Sequence, residues 1–407
     1  MVDDGSMKTI TRKLVFLFPG FEPLTPQVHE RRFETGTRIA SECWGIDFRF
    51  VPASPALPSE PDATPRSEVR LSGPGWQTES EIVICDWSDT IALYGSKPAW
   101  TRLLAGLGAL ADFAVTGTAV RYFRTSWRYG LFFLYPIVLL LFALALTIFV
   151  ATLPWAIGAS AWQLVWSLPL AAALLAAMSR HGIRRLHFLT LMDDWAFARD
   201  LAHGTSAAIE ARVAIHARAI ENGLGRSDVE EVIVAGHSLG VGLAVLALDR
   251  ALSRTAPKVP VHVLSVGASL LKTALHPAAT AQRAAVRSLV EGHRLPWVDV
   301  QSLSDPLNFY RSNPARSLGI EGGRAPVVHR ISLGKLVSER NRRRNRLDFF
   351  RRHRQFVYGT ERRHPYSFHL ILAGPVEFER YAETGSIDVP PLAASRPATP
   401  DVNRNAS

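Results

Sequence analysis

The sequence predicts an α/β protein with a mostly parallel sheet, interrupted by a pair of membrane-spanning helices. Three observations lead there. Short apolar runs rich in valine, isoleucine and phenylalanine alternate with stretches of helical period, the pattern of a sheet covered on both faces. One run of 51 residues, Tyr129 to Ser179, contains no Asp, Glu, Lys or Arg. A β-branched strand, Glu231–Ala235, passes directly into a small-residue helix, Val241–Leu252, through a glycine-flanked serine.

The composition sets limits. At 407 residues, 47% apolar and 20% charged, the chain is long enough for a sizeable core and is not disordered, collagenous or coiled-coil. Two cysteines, Cys43 and Cys85, are too few for a disulfide framework or a cysteine-based zinc site, and point to a reducing compartment. Lys and Arg outnumber Asp and Glu by 46 to 36, a net +10 that suits nucleic acid or the anionic inner face of a membrane.

In chain order, Lys13–Phe18 reads as a buried strand, Asp47–Val51 as a weaker one and Glu81–Cys85 as a third. Residues 53–75, rich in proline and serine, read as a mobile loop. Trp100–Phe123 has a helical pattern and leads into the uncharged run. One span needs about 20 apolar residues, so that run accommodates two: Leu131–Ala151 and Ala156–Met178, with Pro154 and Gly158 at the turn. Trp155, Trp162 and Trp166 suit the interface. Arg121, Arg124 and Arg128 precede the hairpin, and Arg180, Arg184 and Arg185 follow it, so the positive-inside rule puts both ends in the cytosol. The first residues lack the apolar run of a secretory signal.

After the hairpin, residues 188–222 form a long helical stretch. Val261–Val266, Trp297–Gln301 and Val327–Leu333 are further strands. The tail after Ile387 reads as disordered. The expected units are therefore 11–125, a hairpin over 129–179, 186–386, and a tail over 388–407.

Gly236-His237-Ser238-Leu239-Gly240 is a G-x-S-x-G. In a strand–turn–helix setting this pattern holds the serine on a strained turn with its hydroxyl exposed, ahead of helix amides that stabilise an oxyanion. With the preceding Val-Ala and the following small residues, it resembles the α/β-hydrolase superfamily, most closely lipases of the class 3 type. The resemblance implies an α/β-hydrolase fold with the hairpin inserted before the nucleophile strand, and a triad in the order Ser, Asp, His. Ser238 is the implied nucleophile. Asp305, in Ser304-Asp305-Pro306 after a strand, matches the acid-bearing turn; Asp299 lies inside the strand and fits less well. The base stays open. His353, in His353-Arg354-Gln355-Phe356, matches the His-x-x-aromatic pattern. His369 is the alternative, following a strand at Gln355–Tyr358, and His364 is a third candidate. His329 falls within a strand. Phe18-Pro19-Gly20-Phe21 resembles the His-Gly-aromatic oxyanion loop, with Pro19 where histidine is usual, which implies the amides of Phe21 and Leu239 as donors.

Such a site needs no metal or organic cofactor. Asp193, Asp194, Asp200 and His203 share a helical stretch and read as a solvated face rather than a metal site. Arg340–Arg354 holds eight arginines in fifteen residues together with Phe349 and Phe350. Without a nucleic-acid motif it reads as a surface for anionic lipid. The expectation is a membrane-anchored serine hydrolase cleaving lipid or acyl esters. The alternative is an inactive hydrolase-fold scaffold on the membrane. Transport fits poorly, because two spans without a charge supply no polar pathway unless many copies assemble.

Overall fold

The computed structural model describes residues 9–53, 65–158, 160–178, 187–345 and 348–395. Eight strands form one sheet: β1 (Arg12–Phe18), β2 (Asp47–Val51), β3 (Arg66–Gly73), β4 (Trp76–Ile84), β5 (Glu231–His237), β6 (Val261–Val266), β7 (Trp297–Ser302) and β8 (Val327–Ile331). Their order is β2-β3-β4-β1-β5-β6-β7-β8. From β4 across to β8 all neighbours pair in parallel, and β3 runs antiparallel to both β2 and β4.

The strand sequences explain this arrangement. In β5 and β6 every residue is buried, as in parallel strands covered on both faces. The alternation of β1 feeds two cores. Leu14, Phe16 and Phe18 pack under the helices Ala207–Leu224 and Gly240–Leu252, while Val15 and Leu17 face Pro26–Trp44 and Phe368–Ala373. Lys13 is buried beside β5, and its ammonium is 2.8 Å from Glu231 and donates to Val376 O at 2.8 Å.

Several expectations need correction. The proline- and serine-rich stretch is not all loop. Residues 66–73 form β3, with Ser67, Val69 and Leu71 buried and Arg66, Glu68 and Arg70 exposed. That period of two, not the nearby prolines, decides the conformation; positions 54–64 lie outside the described residues. The stretch at Trp100–Phe123 is two helices, Ala99–Val115 and Thr118–Thr125, bent by 73°. Gly117, in the left-handed region, makes the corner. Gly204 does the same between Phe188–His203 and Ala207–Leu224, where Ser206 accepts from the Ile209 amide. Gln355–Val357 is a 3-10 turn, not a strand. The tail is ordered to Ser395: Leu392 is buried, and Arg363 donates to Ser395 O at 2.9 Å. The remaining tail positions are not among the described residues.

The helix Trp127–Ala156 has 30 residues, and an 18-residue stretch of it has a mean hydropathy of 2.7, long and apolar enough to cross a membrane. Its first turns belong to the folded body. Tyr129 stacks on Phe309 at 3.8 Å, and Phe133 meets Trp195 edge-on at 5.3 Å. With Tyr122, Phe113 and Met192 they form a third apolar cluster that joins this helix to the sheet domain. Of the expected second span, only Leu164–Ala177 is α-helical. Its 14 residues reach about 21 Å, less than a bilayer core. It packs back on the long helix, where Ser167 Oγ donates to Ala151 O at 3.1 Å.

Candidate active site

The C-terminal ends of β1, β5, β6 and β7 lie side by side, the edge where open parallel sheets hold their ligands. Each end contributes one piece. After β5, Ser238 has φ 55°, the left-handed region that a non-glycine residue adopts only when its surroundings enforce it. The turn is packed so closely that both flanking positions must be glycine. A Cβ on Gly236 would lie 2.9 Å from Val241 Cα, and one on Gly240 would lie 2.2 Å from Pro19 O. Ser238 N also donates to Val266 O at 3.3 Å, and Ser238 O accepts from Ser269 N at 3.1 Å. The helix Gly240–Leu252 starts at once.

After β7, Asp305 is fully buried. Its Oδ1 accepts from the Leu307 amide at 3.0 Å, and its Oδ2 lies 2.8 Å from His353 Nδ1. The two hydrogen bonds fix both carboxylate oxygens, and the second orients the imidazole. His353 sits on the helix Phe349–Arg354, which Asp348 caps by accepting from the Arg351 amide at 2.8 Å. The ring is held beside the serine turn by two further contacts. It packs on the His237 ring with centroids 4.6 Å apart, and its Cε1 would be 3.2 Å from a Cβ on Gly267. His353 Nε2 is buried and has no hydrogen-bond partner among the described residues. Burial, reinforced by the neighbouring His353, pushes the pKa of His237 well down, so His237 stays neutral.

After β1, the Pro19–Phe21 loop passes against the serine: a Cβ on Gly20 would lie 3.2 Å from Ser238 Cβ and 2.8 Å from His237 Nδ1. Phe21 is anchored on Trp87 and Phe197, whose centroids lie 5.8 and 5.4 Å away, and Trp87 Nε1 donates to Pro19 O at 3.0 Å. Neither the Phe21 nor the Leu239 amide donates to an acceptor among the described residues.

The structure thus brings Ser238, Asp305, His353, Phe21 and Leu239 to one edge. It does not join Ser238 to His353 by a hydrogen bond. Ser238 Oγ is instead 3.4 Å from Ser269 Oγ, and Ser269 Oγ lies 3.4 Å from Leu307 O. Ser269 and the packing role of His237 are absent from the sequence reading. The one signal for Ser269 is its place just past the end of β6, beside the serine strand.

The other histidines lie elsewhere. His369 is buried, and neither ring nitrogen has a partner among the described residues. It packs on Phe33 at 5.0 Å and against Gly36, where a Cβ would be 2.2 Å from its ring. Burial lowers its pKa to about 3, and its neighbours do not include the serine turn. His364 Nδ1 accepts from the Tyr366 amide, and His329 Nε2 contacts Ala382 O. Asp299, mid-strand in β7, is engaged by Ser265 and Gln301.

The acidic helical stretch disperses: Asp193 pairs with Arg102, Asp194 with Lys272, and Asp200 accepts from Tyr94. A different trio converges, with Asp112 Oδ2 2.8 Å from His203 Nε2 and 3.4 Å from His276 Nε2. Because His276 Nδ1 accepts the Ala278 amide, the neutral ring carries its proton on Nε2, facing the carboxylate. Arg199 donates to the same Asp112 oxygen at 3.3 Å. This crowd of donors fits an ion-pair cluster better than a cation site.

An open cleft of about 530 Å³ adjoins the Asp305 loop, between the first turns of the long apolar helix and the helix carrying His353. Trp127, Leu131, Tyr135 and Phe349 form its apolar wall, and Ser304 and Pro306, the neighbours of Asp305, line its inner side. Compared with known proteins, the chain has no match among family models, curated proteins or solved structures.

Proposed function

We propose that this chain is a membrane-anchored serine hydrolase of the α/β-hydrolase type, acting on carboxylic esters of lipids or long acyl chains. The observation that carries the reading is the 2.8 Å contact between Asp305 and His353 at the same sheet edge as the strained Ser238. In this mechanism Ser238 rotates from Ser269 towards His353 Nε2, the unpartnered nitrogen of an imidazole already held at Nδ1. The hydroxyl proton passes to Nε2 as Oγ bonds to the ester carbonyl carbon. The amides of Phe21 and Leu239 stabilise the oxyanion. His353 then gives the proton to the departing alkoxide, and water releases the acid by the same steps.

The setting supports a lipid-like substrate. The 530 Å³ cleft runs along the first turns of the apolar helix to the Asp305 loop, a path that an acyl chain could take from a bilayer. In this reading the stretch 129–179 forms a hairpin with both flanks cytosolic, following the arginines at its ends. The basic segment Arg340–Arg354 then faces the anionic inner leaflet.

One observation favours a second reading. Ser238 bonds to Ser269 rather than to His353, as expected of a hydrolase fold kept as a catalytically inactive membrane scaffold. A fluorophosphonate probe separates the two. Labelling of the full chain in membranes, lost in Ser238→Ala and His353→Ala and kept in His369→Ala, supports the enzyme. Folded protein that takes no label with or without added lipid supports the scaffold.

A further inference from the structure

A second cleft, of about 440 Å³, opens on the other side of the basic segment. One wall is the helix Pro26–Trp44, contributing Arg31 and Arg32. The other is formed by the helices Glu339–Asn345 and Phe349–Arg354, contributing Arg344 and Arg351. Arg32 is neutralised by Glu22 at 2.8 Å and lies over the Tyr358 ring. Arg31, Arg344 and Arg351 have no acidic partner among the described residues. Glu361, the acid lining this cleft, is already engaged by the Ser338 amide at 2.7 Å and by the Asn341 side chain. Some arginines elsewhere on the body are paired: Arg102, Arg212 and Arg226 each hold carboxylates.

Three unpaired guanidinium groups from elements over 300 positions apart in the chain therefore converge on one concave space. Like charges on facing walls repel unless an anion sits between them. Guanidinium forks match phosphate oxygens, and a single carboxylate leaves most of those donors unused. The cleft also has a fixed relation to the apolar helix. Phe349 packs on Phe132 and Tyr135 of that helix, with centroids 6.1 and 5.4 Å apart, and Arg351 follows two positions later. The helix Phe349–Arg354 spans about 9 Å, so this wall of the cleft starts within that distance of the base of the long helix.

We propose that this cleft binds the phosphorylated headgroup of a membrane lipid carrying at least one phosphomonoester, with Arg31, Arg344 and Arg351 as its ligands. This goes beyond diffuse attraction of a basic segment to an anionic surface, because it requires Arg31 from a distant helix and not all arginines of the segment. It does not depend on Ser238 being a nucleophile.

The test uses the full chain in phosphatidylcholine nanodiscs, titrated with a short-chain phosphatidylinositol bisphosphate. The variants are Arg31→Gln/Arg351→Gln and, as a control of equal charge outside the cleft, Arg340→Gln/Arg343→Gln. A single Arg344→Gln, at an exposed position, serves if the first pair disturbs folding. The expected result is tenfold or greater weakening in the cleft variants, less than twofold in the control, and weak binding of short-chain phosphatidylserine throughout. Equal weakening by cleft and control pairs would reduce the cleft to diffuse charge and overturn the proposal. Inorganic phosphate binding as tightly as the lipid would make the ligand a free anion. An oligonucleotide binding more tightly than the lipid would transfer the surface to nucleic acid.

Discussion

Asp299 and Asp305 belong to the same stretch of chain, one inside β7 and the other just past its end, and they have opposite surroundings. Asp299 accepts from Ser265 and from Gln301 Nε2 at 2.7 Å, while Trp297 Nε1 donates to Ser265 at 2.9 Å. Burial raises its pKa to about 6, and neither of these two partners is a base. Asp305 is buried as deeply, but one of its oxygens meets His353 Nδ1. Mid-strand, both neighbouring strands close over a side chain and it can only satisfy itself within the sheet. At the strand end the chain leaves the sheet, and residues from other crossings can reach it. Six positions along one segment separate a structural carboxylate from one that can orient a base.

The largest expected effect tests the strand-end half of this contrast. Ser238→Ala should abolish fluorophosphonate labelling and lower esterase activity by about a thousand-fold or more. Asp305→Asn should lower it by about a hundred- to ten-thousand-fold with the fold intact, because the imidazole loses its orienting acceptor. Asp299→Asn should leave the labelling rate of folded protein within about threefold. Similar losses from both aspartates would erase the distinction.

Next comes Gly267→Ala. Gly267 has φ 54°, and an added Cβ would lie 2.7 Å from Phe356 and 3.2 Å from His353 Cε1. The expected cost is about 1–3 kcal/mol in stability, with labelling slowed about tenfold as the ring is displaced. Thermal denaturation and labelling kinetics on the same sample separate the two effects.

Two smaller effects appear in stability against pH, with opposite signs. Asp299 has a folded pKa of about 6, above the usual carboxylate value of 3.8. Its contribution to stability is full below pH 4 and is lost as pH rises through 6. Asp299→Asn should flatten the melting-temperature profile in that window. His369, held down to about 3, behaves in the opposite way: its contribution is full above pH 6.5 and is lost as pH falls towards 3. His369→Gln should flatten the acid side and leave labelling unchanged. A loss of labelling in His369→Gln would return the base assignment to that residue.

Parts of this arrangement are legible in the sequence because the signal is local. Leu14–Phe18 and Val232–Ala235 announce themselves as buried strands by uninterrupted apolar residues, and the glycines around Ser238 mark a turn where Cβ atoms would collide. Where the deciding fact is a contact across the fold, the sequence has little to show. His353 and His369 both follow Asp305; the aromatic residue three positions after His353 favours it only by resemblance, and the contact with Asp305 is visible only in the fold. β3 is disguised by the composition around it, although its own alternation is clear once Arg66–Gly73 is isolated. Residues 388–395 look like linker, yet Leu392 is buried and Arg363 caps the carbonyls of Leu392, Ala393 and Ser395. Ser269 carries no motif at all; only the pairing of β5 with β6 brings it beside Ser238.

The stacking of Tyr129 on Phe309, and the edge-on contact of Phe133 with Trp195, make the base of the apolar helix continuous with the folded body. A domain joined to a bilayer through a slack linker would tumble above it and meet the surface in every orientation. A domain mounted through shared aromatic packing keeps one attitude and one height. Under the membrane anchoring proposed above, encounters with lipid would depend on sideways diffusion within the leaflet, so surface mole fraction, rather than bulk concentration, would set how often the sheet edge meets a lipid ligand.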